Sequence, residues 1–146
     1  MAVGDRNDPY AQFNFIIELD GLEVAGFTET GGLMAESDVV EYREGSDEPT
    51  VRKLPGLRKY GNITVKRGYT QSTELWDWRK STEDGQTERR DGTIILLDEG
   101  RNRVLQWLFR NGWISKYEGA ALNSTTSEAA IESIEIAHEG LVMETA

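Results

Sequence analysis

PTVRKLPGLRKYGNITVKRG, residues 49–68, carries six basic side chains and no acidic one in a chain of 146 residues whose formal net charge is −10. Its second half points to the fold class. In GNITVKRGY, Ile63 and Val65 share one parity, and Asn62, Thr64 and Lys66 the other. That period of two belongs to a strand with one buried and one wet face. In the first half, Pro55-Gly56 reads as a turn. Just upstream, ESDVVEYREGSDE (36–48) holds six acids and one Arg, so the sign of the charge reverses at Pro49. Val40 and Tyr42 on one parity and Val39, Glu41 and Arg43 on the other suggest a short strand, with EGSDEP as a solvated loop or hairpin tip.

The same period recurs outward from this segment. In QFNFIIELD, Phe13, Phe15, Ile17 and Leu19 alternate with Gln12, Asn14, Ile16 and Glu18, and Asp20-Gly21 is a hairpin-turn signal. LEVAGFTETGGL reads as a strand interrupted by Gly26 and Gly31-Gly32, where a bulge or a close backbone approach is expected. TIILLD has the continuous apolar content of a fully buried strand, and RVLQWLF follows a hairpin turn. Residues 103–109 and the segment SEAAIESIEIAHEGLVM fit a helix or a strand on pattern alone; Thr125 and Glu128 have capping-box spacing, yet Ile134, Ile136 and His138 alternate. The best helix runs from about Thr70 to Thr82, with Ser72 or Thr73 as its cap, Leu75 and Trp78 on one face and Asp84-Gly85 at its end. The sum is a mainly β chain, a small barrel or a pair of packed antiparallel sheets with one flanking helix.

Composition narrows the function. Hydrophobic residues make up 38% and charged residues 29%, ordinary globular usage that implies a folded chain. Residues 1–9 read as a polar N-terminal arm ending at Pro9, and 10–146 as one domain. The start lacks the basic and apolar regions of a signal peptide, and no apolar run approaches the ~20 residues of a membrane span. The expectation is a soluble protein made in the cytoplasm that does not itself insert into a membrane. With no cysteine and a single histidine, His138, thiolate chemistry is excluded and His138 reads as a packed or surface residue. The acidic segment lacks the D-x-D-x-D-G spacing of a calcium loop, and neither glycine-rich piece matches a phosphate-binding loop. No catalytic residue, metal site or cofactor is assigned.

The tryptophans Trp76, Trp78, Trp107 and Trp113 sit among aliphatic residues, which favours core or interface burial over base stacking. That leaves the basic island. Arg52, Lys53, Arg58, Lys59, Lys66 and Arg67 either contact phosphates, as in a nucleic-acid-binding β module, or meet an acidic surface on another copy. A negative segment placed beside a positive one suits head-to-tail association, with the charges setting register and apolar and backbone contacts holding the assembly.

KLPGLRKYGNITVKRG, ELWDWR, ERRDGTIILLDEG, VLQWLFRNGWISKYEGAALN and AAIESIEIAHEGL together resemble, in that order, the tail-tube proteins of contractile phages and phage-derived contractile injection systems. The resemblance covers about residues 8–143. It departs at Ile114 and at Gly119-Ala120, where relatives commonly carry proline. It implies a barrel-like subunit of two packed sheets, six copies closing into a ring, and rings stacking into a hollow tube. It also turns 103–109 and 130–139 into strands. A contractile sheath around the tube, a baseplate and spike at one end, and a protein or DNA payload in the lumen are the implied partners. In such tubes a long segment between the second and third major strands reaches the adjacent ring; carried onto this chain it is about 36–60. The implied contact residues are Glu41, Glu44, Asp47 and Glu48 on the acidic side and Arg52, Lys53, Leu54, Pro55, Gly56, Arg58 and Lys59 on the basic side. A baseplate initiator or adaptor of the same fold is the alternative within this class.

Overall fold

The computed structural model describes residues 14–20, 27–45, 49–125 and 128–146. The expected N-terminal arm, Phe13, Asp47 and Glu48 lie outside these. Among the described residues nine strands and one helix follow in the order β1 (Phe15–Leu19), β2 (Phe27–Gly31), β3 (Ala35–Tyr42), β4 (Arg52–Tyr60), β5 (Ile63–Gly68), α1 (Glu74–Glu83), β6 (Arg90–Leu97), β7 (Arg103–Glu118), β8 (Ile131–Ala137) and β9 (Gly140–Thr145). All strand pairs are antiparallel.

β7 organises the molecule. Its first half pairs with β6 along one edge and with β9 along the other, whereas its second half pairs with β8. Ala137 lies opposite Trp113 and Gly140 opposite Arg110, so β8 and β9 run along one edge of β7 as a single interrupted strand. Two sheets result: β1-β6-β7-β9, and β2-β5-β8 with the second half of β7. Among the described residues the path from β1 to β2 does not close, so they form an open pair of sheets rather than a barrel.

The core lies between them. Ile17 and Leu19 of β1, Ile63 and Val65 of β5, and Ile134 and Ile136 of β8 point inward at alternate positions, as the period of two requires. Ile94 of β6 and Phe109 and Ile114 of β7 join them, the inward parity of β7 changing between Phe109 and Ile114 at Asn111, φ 53°. Gly92 and Gly112 leave room for the Phe109 ring, whose atoms a Cβ at either position would strike. Helix α1 adds Leu75 and Trp78 to this core. Ser72 Oγ accepts from the Glu74 amide at 3.4 Å, while Thr73 Oγ1 is turned to Asp77. Asp84 and Gly85, the latter at φ 79°, close its C-terminus as the Asp-Gly pair implied.

The Asp20-Gly21 turn signal runs into residues 21–26, which lie outside the described residues. One local expectation fails: Pro55-Gly56 is no turn, since it lies inside β4, with Pro55 opposite Val39 and a register shift between Ser37 and Val39. A proline is tolerated there because β4 has a partner on one side only, so a missing N–H on its open edge costs no ladder bond.

Candidate assembly interface

β3 and β4 form a two-stranded hairpin of their own, joined among the described residues by no ladder to either sheet. Its strands carry the charge reversal, and antiparallel pairing folds one sign onto the other. Glu36 stands opposite Lys59, Glu41 opposite Lys53 and Tyr42 opposite Arg52. Lys59 Nζ reaches Asp38 Oδ1 at 2.9 Å, and its hydrogen bond and charge attraction to Asp38 raise the ammonium above the usual lysine range. Tyr42 donates to Glu44 Oε1 at 2.6 Å, which raises that phenol. Both pairs are exposed, and such pairs fix geometry more than they stabilise.

Between the charges, apolar side chains stand in solvent. Val39 is 62% exposed and Leu57 75%, with Val40 and Leu54 about half exposed and directly opposite one another. A two-stranded hairpin is marginal by itself, and this one exposes what a partner would bury. Gly56 lets the strands approach at the bulge, where a Cβ would lie 3.2 Å from Asp38 and Val40.

The arm is anchored at its base. Gly61 N donates to Met34 O at 3.2 Å, and the His138 ring nitrogens lie 3.0 Å from Gly61 O and 3.1 Å from Gly140 O. Tyr60 and Phe109 flank the imidazole. His138 therefore ties the arm to the break between β8 and β9. Beside this joint an open groove of about 1150 Å³ is lined by Arg58, Tyr60, Leu108, Phe109 and Val142 among others. Two of its carboxylates are engaged structurally: Glu18 pairs with Arg103 at 2.9 Å, and Asp91 accepts the Asn111 amide.

Arg67 belongs to a different arrangement. Almost fully buried, it bonds Glu132 Oε1 through Nε at 2.9 Å and Nη2 at 2.6 Å, and Tyr117 donates to Glu132 Oε2 at 2.5 Å. Tyr69 OH lies 3.3 Å from Tyr117 OH. Burial and then the bond to Glu132 push the Tyr117 phenol well above the ordinary tyrosine range. Since this group is raised in the fold, its contribution is complete below the unfolded-state value of 10.0 and drains away as pH rises towards the folded-state value. In an absorbance titration one of the five tyrosines is expected to ionise after the rest, and Tyr117→Phe to remove that step. An unchanged titration contradicts the assignment.

The sequence profile of the family described as T4-like virus tail tube protein gp19 matches residues 11–142. The chain belongs to the tail tube family. No curated protein sequence matches it significantly. Among solved structures, the tube protein resembles a chain of an extracellular contractile injection system, the PVC sheath–tube complex in its extended state. That match has 27% identity, a TM-score of 0.85, and coverage of 96% of this chain and 94% of the other. The anti-feeding prophage cap, a tube-terminating cap, matches at 26% identity and a TM-score of 0.86 over the full length of both chains. Hcp1 from Flavobacterium johnsoniae, at 18% identity, a TM-score of 0.56 and coverage of 90% and 95%, shares the fold. The tube protein is a structural subunit of a contractile injection or phage-tail tube.

The predicted contact residues divide clearly. Glu41 is on β3, with Glu44 just beyond it; Arg52, Lys53, Leu54, Pro55, Gly56, Arg58 and Lys59 are on β4, so the structure gathers these onto one arm. Asp47 and Glu48 lie outside the described residues. Of the remaining island residues, Lys66 pairs with Glu29 at 3.5 Å, and Arg67 is withdrawn into the core, which removes it as a phosphate contact. Among the tryptophans, Trp78 is buried, Trp107 and Trp113 are half-buried, and Trp76 is exposed with its ring edge on Tyr117. No helix among the described residues is long and apolar enough to cross a membrane.

Proposed function

We propose that six copies of this tube protein close into a ring and that rings stack into a hollow tube through the β3–β4 arm. The tube would sit inside a contractile sheath, end at a baseplate and spike, and carry a protein or DNA payload. The observation that carries this reading is the arm itself: a hairpin detached from both sheets, with Val39, Val40, Leu54 and Leu57 exposed between charge pairs. Burying such apolar surface drives association, and the charge pattern selects register. Similarity to a chain from a sheath–tube complex supports the sheath as partner.

The internal pairing changes one part of the sequence argument. Acids and bases of 36–60 already face each other within one arm, so complementarity with another copy rests on the residual pattern and on the apolar residues. A second reading, an adaptor or cap at a tube end, draws on the match to the anti-feeding prophage cap. Negative-stain electron microscopy of purified protein is the test. Rings and tubes of repeating rings are expected, with many copies per particle. Single terminal rings in assembled particles would favour the end-cap reading, and monomers that persist at high concentration with sheath and baseplate proteins present would contradict both.

A further inference from the structure

The joint at the root of the arm is built around the chain's single histidine. His138 Nε2 lies 3.0 Å from Gly61 O, at the corner between β4 and β5, and Nδ1 lies 3.1 Å from Gly140 O, at the start of β9. Both partners are carbonyl oxygens, which only accept. A neutral imidazole has one N–H and one bare nitrogen, so it satisfies one of these contacts and turns a lone pair on the other. A ring protonated at both nitrogens donates to both.

The rings around it suit a charged imidazole. Tyr60 and Phe109 flank it with centroids 5.6 and 5.9 Å away, inside the ~6 Å over which an aromatic ring attracts a cation. The ionic groups nearby offset one another. Glu139, the next residue, meets Arg89 at 3.5 Å and accepts from Asn111 Nδ2 at 2.9 Å, and Asp91 of β6 accepts the Asn111 amide. Arg110 of β7 donates to Glu139 O at 3.4 Å and runs along Gly140, where a Cβ would meet its side chain. Arg58 of the arm lines the groove beside Tyr60. Carboxylates and guanidiniums both stand close, so the two carbonyls decide how many protons the ring needs.

Resting on the reading of the arm as the stacking element, we propose that His138 is a proton-operated clamp on the arm, bonding Gly61 O and Gly140 O at once when both ring nitrogens carry protons. The backbone bond from Gly61 to Met34 O closes the hairpin on itself, whereas the His138 bond to Gly61 crosses from the hairpin to the break between β8 and β9. When one proton leaves, the bare nitrogen faces a carbonyl, that crossing bond or its counterpart at Gly140 is lost, and the arm swings at its root. An arm whose direction is set beforehand docks at lower cost than one ordered on contact, so proton loss weakens stacking without unfolding the subunit. With no cysteine and one histidine in the chain, this ring is the side chain whose ordinary titration falls between about pH 5 and 8.

A single histidine gives a single pair of imidazole nitrogen resonances, so nuclear magnetic resonance of the purified protein reads the ring directly. At about pH 7, where an unperturbed imidazole is mostly neutral, both nitrogens are expected to carry protons; one bare nitrogen there overturns the clamp. Spin labels on Ser37→Cys of the arm and Glu99→Cys of the β6–β7 turn read the arm in unassembled subunits. The distance between them is expected to be narrowly distributed in mild acid and to broaden as the ring loses its proton, and a width unmoved across that step overturns the mechanism. His138→Phe keeps a ring between Tyr60 and Phe109 and removes both donors, so its distribution should be broad at every pH; the wild-type pH step surviving in it overturns the assignment to His138. If that variant does not fold, the wild-type resonances still decide. Tubes that keep their length by electron microscopy while the clamp opens would count against the arm as the stacking element and leave the clamp standing.

Discussion

Replacing Glu132 with alanine is expected to destabilise the subunit by about 3–5 kcal/mol, because it strands a buried guanidinium without its counter-charge. Arg67 and Glu132 are only 2% and 3% exposed, so water cannot compensate, and Tyr117 loses its acceptor at the same time. The midpoint of urea denaturation measures the loss. Removing both charges, as in Arg67→Met/Glu132→Leu, should recover most of it, since no uncompensated charge then remains buried. A Glu132→Ala midpoint within experimental error of the wild type would show that the pair does not hold β5 to β8.

Exchanging Glu41 and Lys53, as Glu41→Lys/Lys53→Glu, is expected to leave the subunit folded and to abolish tube elongation. The two residues face each other across the arm, so the exchange keeps the internal pair and inverts only what a neighbouring ring meets. The reversal Lys53→Glu/Lys59→Glu is a harsher variant: it sets a second carboxylate against Glu41 and removes the Lys59–Asp38 bond, so it strains the arm as well as its contact. It too should impair stacking more than folding. Thermal unfolding and electron microscopy separate the effects, and tubes of normal length from the exchanged variant would show that charge does not set the stacking register.

Much of this architecture was legible from alternation alone. Phe15, Ile17 and Leu19, then Ile63 and Val65, then Ile134 and Ile136 are on the parity that the core buries. The helix was legible from Leu75 and Trp78 and from its Asp-Gly end, although it begins at Glu74 rather than near Thr70. The buried ion pair was missed, yet it left a trace. Arg67 shares the parity of Ile63 and Val65, and Glu132 that of Ile134 and Ile136, so two opposite charges were each written on an inward face. Basic neighbours drew Arg67 into the island instead. The arm was seen as a charged segment, but its internal pairing was not, since Pro55-Gly56 looked like a turn that would have separated the strands elsewhere.

By itself the spacing of apolar side chains determined the strands around Ile17 and Ile63, the helix and their inward parity, because these follow from a short stretch of backbone; 103–109 and 130–139 fit a helix or a strand on that spacing. The sequence also carried the family likeness, through segments spread over most of the chain, and it was this likeness that made 103–109 and 130–139 strands. The tertiary structure alone decided which strands are neighbours, that Glu41 faces Lys53, and that Arg67 is paired and buried. Those outcomes depend on contacts between residues far apart in the chain, where the area buried and the charge left unpaired outweigh any local preference.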